Sequence, residues 1–141
     1  MRCASCQPGR NGCHGQTVVS CTEEGEFGEA IETCRDEEGY ACREGVCEHL
    51  CTIARANRSN VGCEYWAVDL DNAVVDGSNN AASQQYAVVV SNPQPDVAAR
   101  VIIEQDDGLP GASHEIQTIA EATIPPMSLR VFPLGPREVD G

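Results

Sequence analysis

Cysteine placement constrains this chain more than any other feature. Eight of the nine cysteines (Cys3, Cys6, Cys13, Cys21, Cys34, Cys42, Cys47 and Cys51) fall in the first 51 residues, the ninth is Cys63, and residues 64–141 have none. A stretch this dense in cysteine and poor in apolar residues cannot bury a large core, so it needs covalent staples or a metal. Disulfides persist in oxidising surroundings, which points to an extracellular or cell-surface location. The expected fold is mostly β, a small disulfide-rich module followed by part of an antiparallel β-sandwich. Its expected boundaries are a stapled module over 1–51, a short helical connector over 52–62 and a sandwich domain over 63–141.

Charge removes several partner classes. The chain has 9 basic residues, all arginine, against 22 acidic ones, a formal net charge of -13. The absence of lysine, beside abundant Ala, Gly, Arg and Val, matches the bias of a GC-rich genome. Phosphate backbones demand positive charge, so nucleic acid is not an expected partner. An anionic membrane surface is disfavoured for the same reason. No apolar run approaches membrane-spanning length, so no transmembrane segment is expected. Met1 to Cys6 has no hydrophobic signal region, and an export signal is therefore expected upstream of this chain.

Within the module, glycines at 9, 12, 15, 25, 28, 39 and 45 leave few windows for regular structure. Gln16–Ser20 reads as one short strand and Ile31–Thr33 as its partner. Leu50, Ile53, Ala54 and Asn57 fall at helical spacing, which predicts a short helix within 48–58. From Cys63 onward the period becomes two. Glu64–Leu70 reads as a first strand ended by Asp71-Asn72. Gln84–Ser91 reads as a second, with Tyr86, Val88 and Val90 on one face. Val97–Asp106 is the clearest, with Val97, Ala99, Val101 and Ile103 alternating against Ala98, Arg100, Ile102 and Glu104. His114–Ile124 fits either strand or helix; the Pro125-Pro126 that follows favours a strand with Ile116, Thr118, Ala120, Ala122 and Ile124 on one face. Ser128–Leu134 is a fifth. Five strands leave open edges and an unfinished second sheet, so the sandwich is expected to continue beyond residue 141.

The run Asn57-Arg58-Ser59-Asn60-Val61-Gly62-Cys63-Glu64-Tyr65-Trp66-Ala67-Val68-Asp69-Leu70-Asp71-Asn72 resembles the opening of the IgGFc-binding N-terminal domain family. The resemblance continues through Gln85–Pro93 and Ile124-Pro125-Pro126. Versions from myxobacteria carry an upstream stretch similar to Cys13–Cys21 and Cys42–Cys47. The resemblance covers about residues 51 to 141. It implies β-sandwich architecture and an extracellular binding or adhesive role, with no binding residues carried over.

Disulfides are the preferred use of the cysteines. Cys51 with Cys63 is the preferred pair, because it would pin the helix to the first strand; the other pairings stay open. Nine is odd, so one cysteine is spare. Cys3 and Cys6, near a fraying terminus, are the candidates, and either is a candidate lipid-anchor site if a signal peptide precedes it. The rival use is zinc, with Cys3 and Cys6 as a CxxC, Cys47 and Cys51 as a CxxxC, and His14 and His49 completing the sites. The gaps between Cys13, Cys21, Cys34 and Cys42 are too long and irregular for zinc knuckles.

Acidic runs offer less. Asp69 to Gly77 clusters oxygen ligands but fails the EF-hand pattern at Ala73, Val74 and Asn80, so a solvated acidic turn is preferred to a calcium site. Glu104, Asp106 and Asp107 read as a strand end meeting a turn. Ser113, His114 and Glu115 have triad chemistry, yet neighbours on a strand point to opposite faces. With no nucleophile elbow or phosphate-cradling glycine loop, no enzymatic activity, cofactor or metal is expected. Asn57-Arg58-Ser59 is a formal glycosylation sequon. Tyr65, Trp66, Tyr86 and Phe132 could form an aromatic binding face, though most are expected in the core. The leading expectation is a non-enzymatic extracellular or cell-surface protein that presents a rigid sandwich surface to a protein or glycan partner. The alternatives are a zinc-stabilised intracellular interaction module and a cystine-rich inhibitor using the loop Glu23–Glu29.

Overall fold

A computed structural model describes residues 4–57, 59–70, 73–80, 83–109 and 111–135. The chain divides into two compact units, residues 1–64 with 94–98, and residues 65–93 with 99–141. Both are antiparallel β structures, and the chain is mostly β and disulfide-rich.

The first unit contains strands β1 (Gly12–His14), β2 (Thr17–Cys21) and β3 (Phe27–Thr33) in the order β1-β2-β3. A 3-10 turn, Asp36–Glu38, leads to a hairpin of β4 (Tyr40–Arg43) and β5 (Val46–His49). The expected pairing of the Gln16–Ser20 and Ile31–Thr33 segments is present, as β2 against β3. Regular structure is denser than the glycine count suggested. Three further strands fit because five of the seven glycines (9, 15, 25, 39 and 45) sit at turns, while Gly12 and Gly28 are accommodated inside β1 and β3. Glu44 and Gly45 join β4 to β5 with φ of 50° and 81°, the left-handed pair that matches strand twist in a two-residue hairpin. A β-carbon on Gly45 would stand 2.3 Å from the Asn11 carbonyl oxygen, so only glycine fits there.

Four disulfides run through this unit: Cys6–Cys21, Cys13–Cys42, Cys34–Cys47 and Cys51–Cys63. The centre of the module is largely cystine: buried Val18, Cys34 and Cys42, with Cys13, Tyr40 and Cys47 packed around them. Gln16 joins the two sheets, its side-chain oxygen accepting from Cys42 N at 3.2 Å and its carbonyl from Cys34 N at 2.8 Å. The helix α1 (Leu50–Ala56) follows β5 directly, its first amide donating to the Gly39 carbonyl at 3.0 Å. A helix of 7 residues is too short to persist alone. Its attachments are β5 on one side and the Cys51–Cys63 bridge on the other. The turn 94–98 also belongs to this unit: Val97 is buried in it, and Arg43 bonds Gln94 and Asp96, both at 3.1 Å.

The second unit contains a short pair, β6 (Val74–Asp76) and β7 (Asn79–Asn80), and two longer ribbons. In one ribbon β8 (Tyr86–Asn92) pairs with β11 (Ser128–Leu134); in the other β9 (Ala99–Asp106) pairs with β10 (Ile116–Ile124). Their inner faces meet in a small sandwich core of Ala122, Ile124 and Phe132, lined by Val90, Val101, Ile103, Ala120 and Leu134. The predicted inward faces of β8 and β9 are the ones that turn to the core. Asn92, the buried polar residue at the end of β8, donates to the carbonyls of Ile124 (3.1 Å) and Pro125 (3.2 Å). Those bonds satisfy an amide that would otherwise be costly to bury.

Two expectations differ from the structure. Glu64–Leu70 is not a strand: it runs without a ladder, with only Leu70 in an isolated bridge. Its side chains alternate in kind, but no sheet face covers them, and alternation alone does not supply a pairing partner. The expected ending at Asp71-Asn72 lies outside the described residues. In β10 the inward face is Ala120, Ala122 and Ile124, while Ile116 and Thr118 are exposed, because a register shift between Thr118 and Ala120 breaks the alternation.

Candidate binding surfaces

The cysteines define what chemistry is unavailable. Cys6 is bonded to Cys21, so it is not the spare cysteine; its sulfur lies against the β2–β3 loop, near enough to close the bridge and to approach the Glu26 carbonyl at 3.3 Å. Cys3 lies outside the described residues. Cys51 is joined to Cys63, the pair preferred from the sequence. Sulfurs held in disulfides are not thiolates and cannot bind zinc as such. The histidines of the zinc reading face rings instead: His14 lies 5.1 Å from Phe27 and His49 stands edge-on to Tyr40 at 5.1 Å. Among the described residues no group of three or more His, Cys, Asp or Glu is placed to hold a metal ion. The loop Glu23–Glu29 is tied back, with Gly25 buried and its carbonyl accepting from Ser5 N at 2.8 Å.

The acidic clusters serve their own turns. Asp76 accepts from the amide and hydroxyl of Ser78 at 2.8 and 2.6 Å, closing the β6–β7 turn; Asp71 and Asn72 lie outside the described residues. Asp106, at the end of β9, faces His114 Nδ1 and accepts the amides of Gly108 and Glu115, both at 2.9 Å. The His114 hydrogen bond and those two amides hold the Asp106 carboxyl down at about 2. His114 thus partners a residue eight positions back, rather than Ser113 or Glu115. The pair fastens the turn between β9 and β10.

Exposed apolar side chains are concentrated in the second unit. Trp66 is 79% exposed, Leu70 72% and Tyr65 66%, with Val68, Val74 and Val75 also open. Two of the four aromatics singled out in the sequence therefore lie at the surface, contrary to a mainly core role. Phe132 is buried and Tyr86 half-buried. The two ribbons also differ on their outer faces. β8 and β11 present Ala87, Val89, Ser91, Leu129, Val131 and Pro133, without a charge. The outer face of β9 and β10 has the Arg100–Glu121 ion pair at 2.7 Å. The outer face of β8 and β11 is thus exposed and charge-free on a chain of net charge -13.

The first unit has a different feature, a groove of about 430 Å³ beside α1. Leu50, Ile53, Ala54 and Val61 are its apolar lining, and Glu44 and Glu48 are exposed carboxylates on the same lining. No residue of α1 is fully buried, although Leu50, Ile53 and Ala54 make a continuous apolar face. Sequence reading missed this site, because its parts come from the β4–β5 turn, the helix, the segment after it and Gln94.

Comparison with protein-family models, curated proteins and solved structures finds no match to this chain.

Proposed function

We infer that this chain is a non-enzymatic extracellular or cell-surface binding protein, which offers a rigid β surface to a protein or glycan partner. The observation that supports a binding role best is the open apolar segment Tyr65–Leu70, an irregular run in the second β unit led by Trp66 at 79% exposure. Tryptophan and tyrosine give large contact area for little ordering entropy, and they dominate binding hot spots. Aromatic rings also stack on sugars, but the aliphatic Val68 and Leu70 alongside favour a protein. Four disulfides support an oxidising location. No described helix is long and apolar enough to cross a membrane. Membership of the IgGFc-binding N-terminal domain family belongs to the same reading.

Trp66 is the single tryptophan, so its fluorescence reports directly on this surface. The test is a glycan array and a panel of immobilised extracellular-matrix proteins, probed with wild type and with Trp66→Ala/Leu70→Ala. At least one probe should bind wild type, shift Trp66 emission to the blue and lose about tenfold or more in affinity with the double variant. No binding to any probe, or equal binding by the variant, would overturn the reading.

A further inference from the structure

The groove beside α1 has a composition that selects one kind of occupant. Its apolar lining is aliphatic, with Leu50, Ile53 and Ala54 half-buried and Val61 more open. Glu44 and Glu48 are exposed carboxylates on the same lining. The basic residue on the described lining, Arg43, is already engaged: its guanidinium donates to the Cys42 carbonyl at 2.8 Å, to Gln94 at 3.1 Å and to Asp96 at 3.1 Å. Arg43 therefore positions the turn 94–98 and leaves the described lining with net negative charge. The volume, about 430 Å³, lies in the range of sites that hold small ligands or single side chains.

Glu44 adds a second, independent observation. It occupies the left-handed region at φ 50°, where Asn, Asp or Gly is the ordinary occupant and a longer side chain is strained. The position places a carboxylate at the groove.

We propose that this groove takes a lysine or arginine side chain from a partner polypeptide. The methylene stem lies along Leu50, Ile53, Ala54 and Val61, and the cationic head sits between Glu44 and Glu48. Long cationic side chains bury their stems against apolar surface while the head stays solvated beside acids, which is the chemistry this lining offers. The chain's charge of -13 steers such a basic partner toward it. The groove's lining shares no residue with the Tyr65–Leu70 segment.

The test uses the oxidised full chain and two blocked tripeptides, acetyl-Gly-Lys-Gly-amide and its norleucine counterpart, followed by NMR titration. The lysine peptide should shift the amides of Ile53, Ala54 and Val61 with a saturable midpoint. The norleucine peptide, with the same stem and no charge, should bind roughly fivefold more weakly or worse, and so should the lysine peptide to Glu44→Gln/Glu48→Gln or in high salt. Ala54→Arg, which puts the chain's own cation into the groove, should abolish the shifts. Equal binding of the two peptides, an unchanged midpoint in the glutamine variant, or no shift at α1 would overturn the proposal. Failure here leaves the Trp66 reading intact, since that test uses other residues and probes.

Discussion

The two units bury their centres with different materials. In the first, the middle is occupied by the cystines Cys13–Cys42 and Cys34–Cys47, with Val18 and Tyr40 filling between them. In the second, which lacks cysteine, Ile124, Phe132 and Ala122 pack between two ribbons. A cystine contributes apolar volume, and it also restricts the unfolded chain, so a few of them replace the large hydrophobic surface a small module lacks. An aliphatic core draws its stability from area removed from water and from fit. The same β architecture thus rests on a covalent constraint in one place and on packing in the other.

Reduction should break this comparison most sharply. The four bridges close loops with sequence separations of 12, 13, 15 and 29. Each contributes about 3 kcal/mol by chain entropy, and the interleaved loops do not simply add. With a phosphine reductant, the first unit should unfold while the second keeps its ribbons. Hydrogen exchange read by mass spectrometry should show protection lost over Thr17–Cys21 and Tyr40–Arg43 and retained over Ala99–Asp106 and Ile116–Ile124. Loss of protection in both units together would mean that they fold as one cooperative body.

Core truncation sharpens the contrast at smaller scale. Phe132→Ala should destabilise the second unit by about 3 kcal/mol or more, since the ring is only 5% exposed and its space is bounded by two ribbons. Val18→Ala, at a site just 1% exposed, should cost the first unit about 1–2 kcal/mol, the transfer of two methyl groups plus a small cavity beside cystines that hold their places. Denaturant melts followed by residue-resolved NMR separate the two. A larger loss at Val18 than at Phe132 would show that packing, not covalent restraint, dominates the module.

The same difference decides what the sequence revealed. In β8 and β9 burial alternates residue by residue because one face is covered and one is not, so period two is a direct imprint of the ribbon core. The module leaves no such imprint. β4 buries Ala41 and Cys42 side by side, and β3 is exposed along its whole length, because disulfide partners rather than a shared apolar face set which residues go inside. The helix was legible from Leu50, Ile53 and Ala54, but the groove they line needs Glu44, Val61 and Gln94 brought from elsewhere. Trp66 was legible as a binding candidate, while its exposure follows from a missing sheet partner that local pattern does not encode. His114 and Asp106 meet only once β9 and β10 form a hairpin.

That hairpin gives the smallest and most local effect. The Asp106 carboxyl lies at about 2 in the folded chain, below its usual 3.8, through His114 and the amides of Gly108 and Glu115. A carboxyl whose folded value is depressed binds protons more readily when unfolded, so its contribution is complete above about pH 4 and fades as pH falls through about 2. The pair is at the surface, so the loss should loosen the turn rather than unfold the unit. Amide shifts of Gly108 and Glu115 should titrate together near pH 2, with exchange at those two amides rising as the carboxylate is protonated. In Asp106→Asn the transition should vanish, leaving both amides flat across the same window. A transition near pH 4 in the wild type would mean that the turn does not hold the carboxylate, and a transition surviving in the asparagine variant would assign it to another acid.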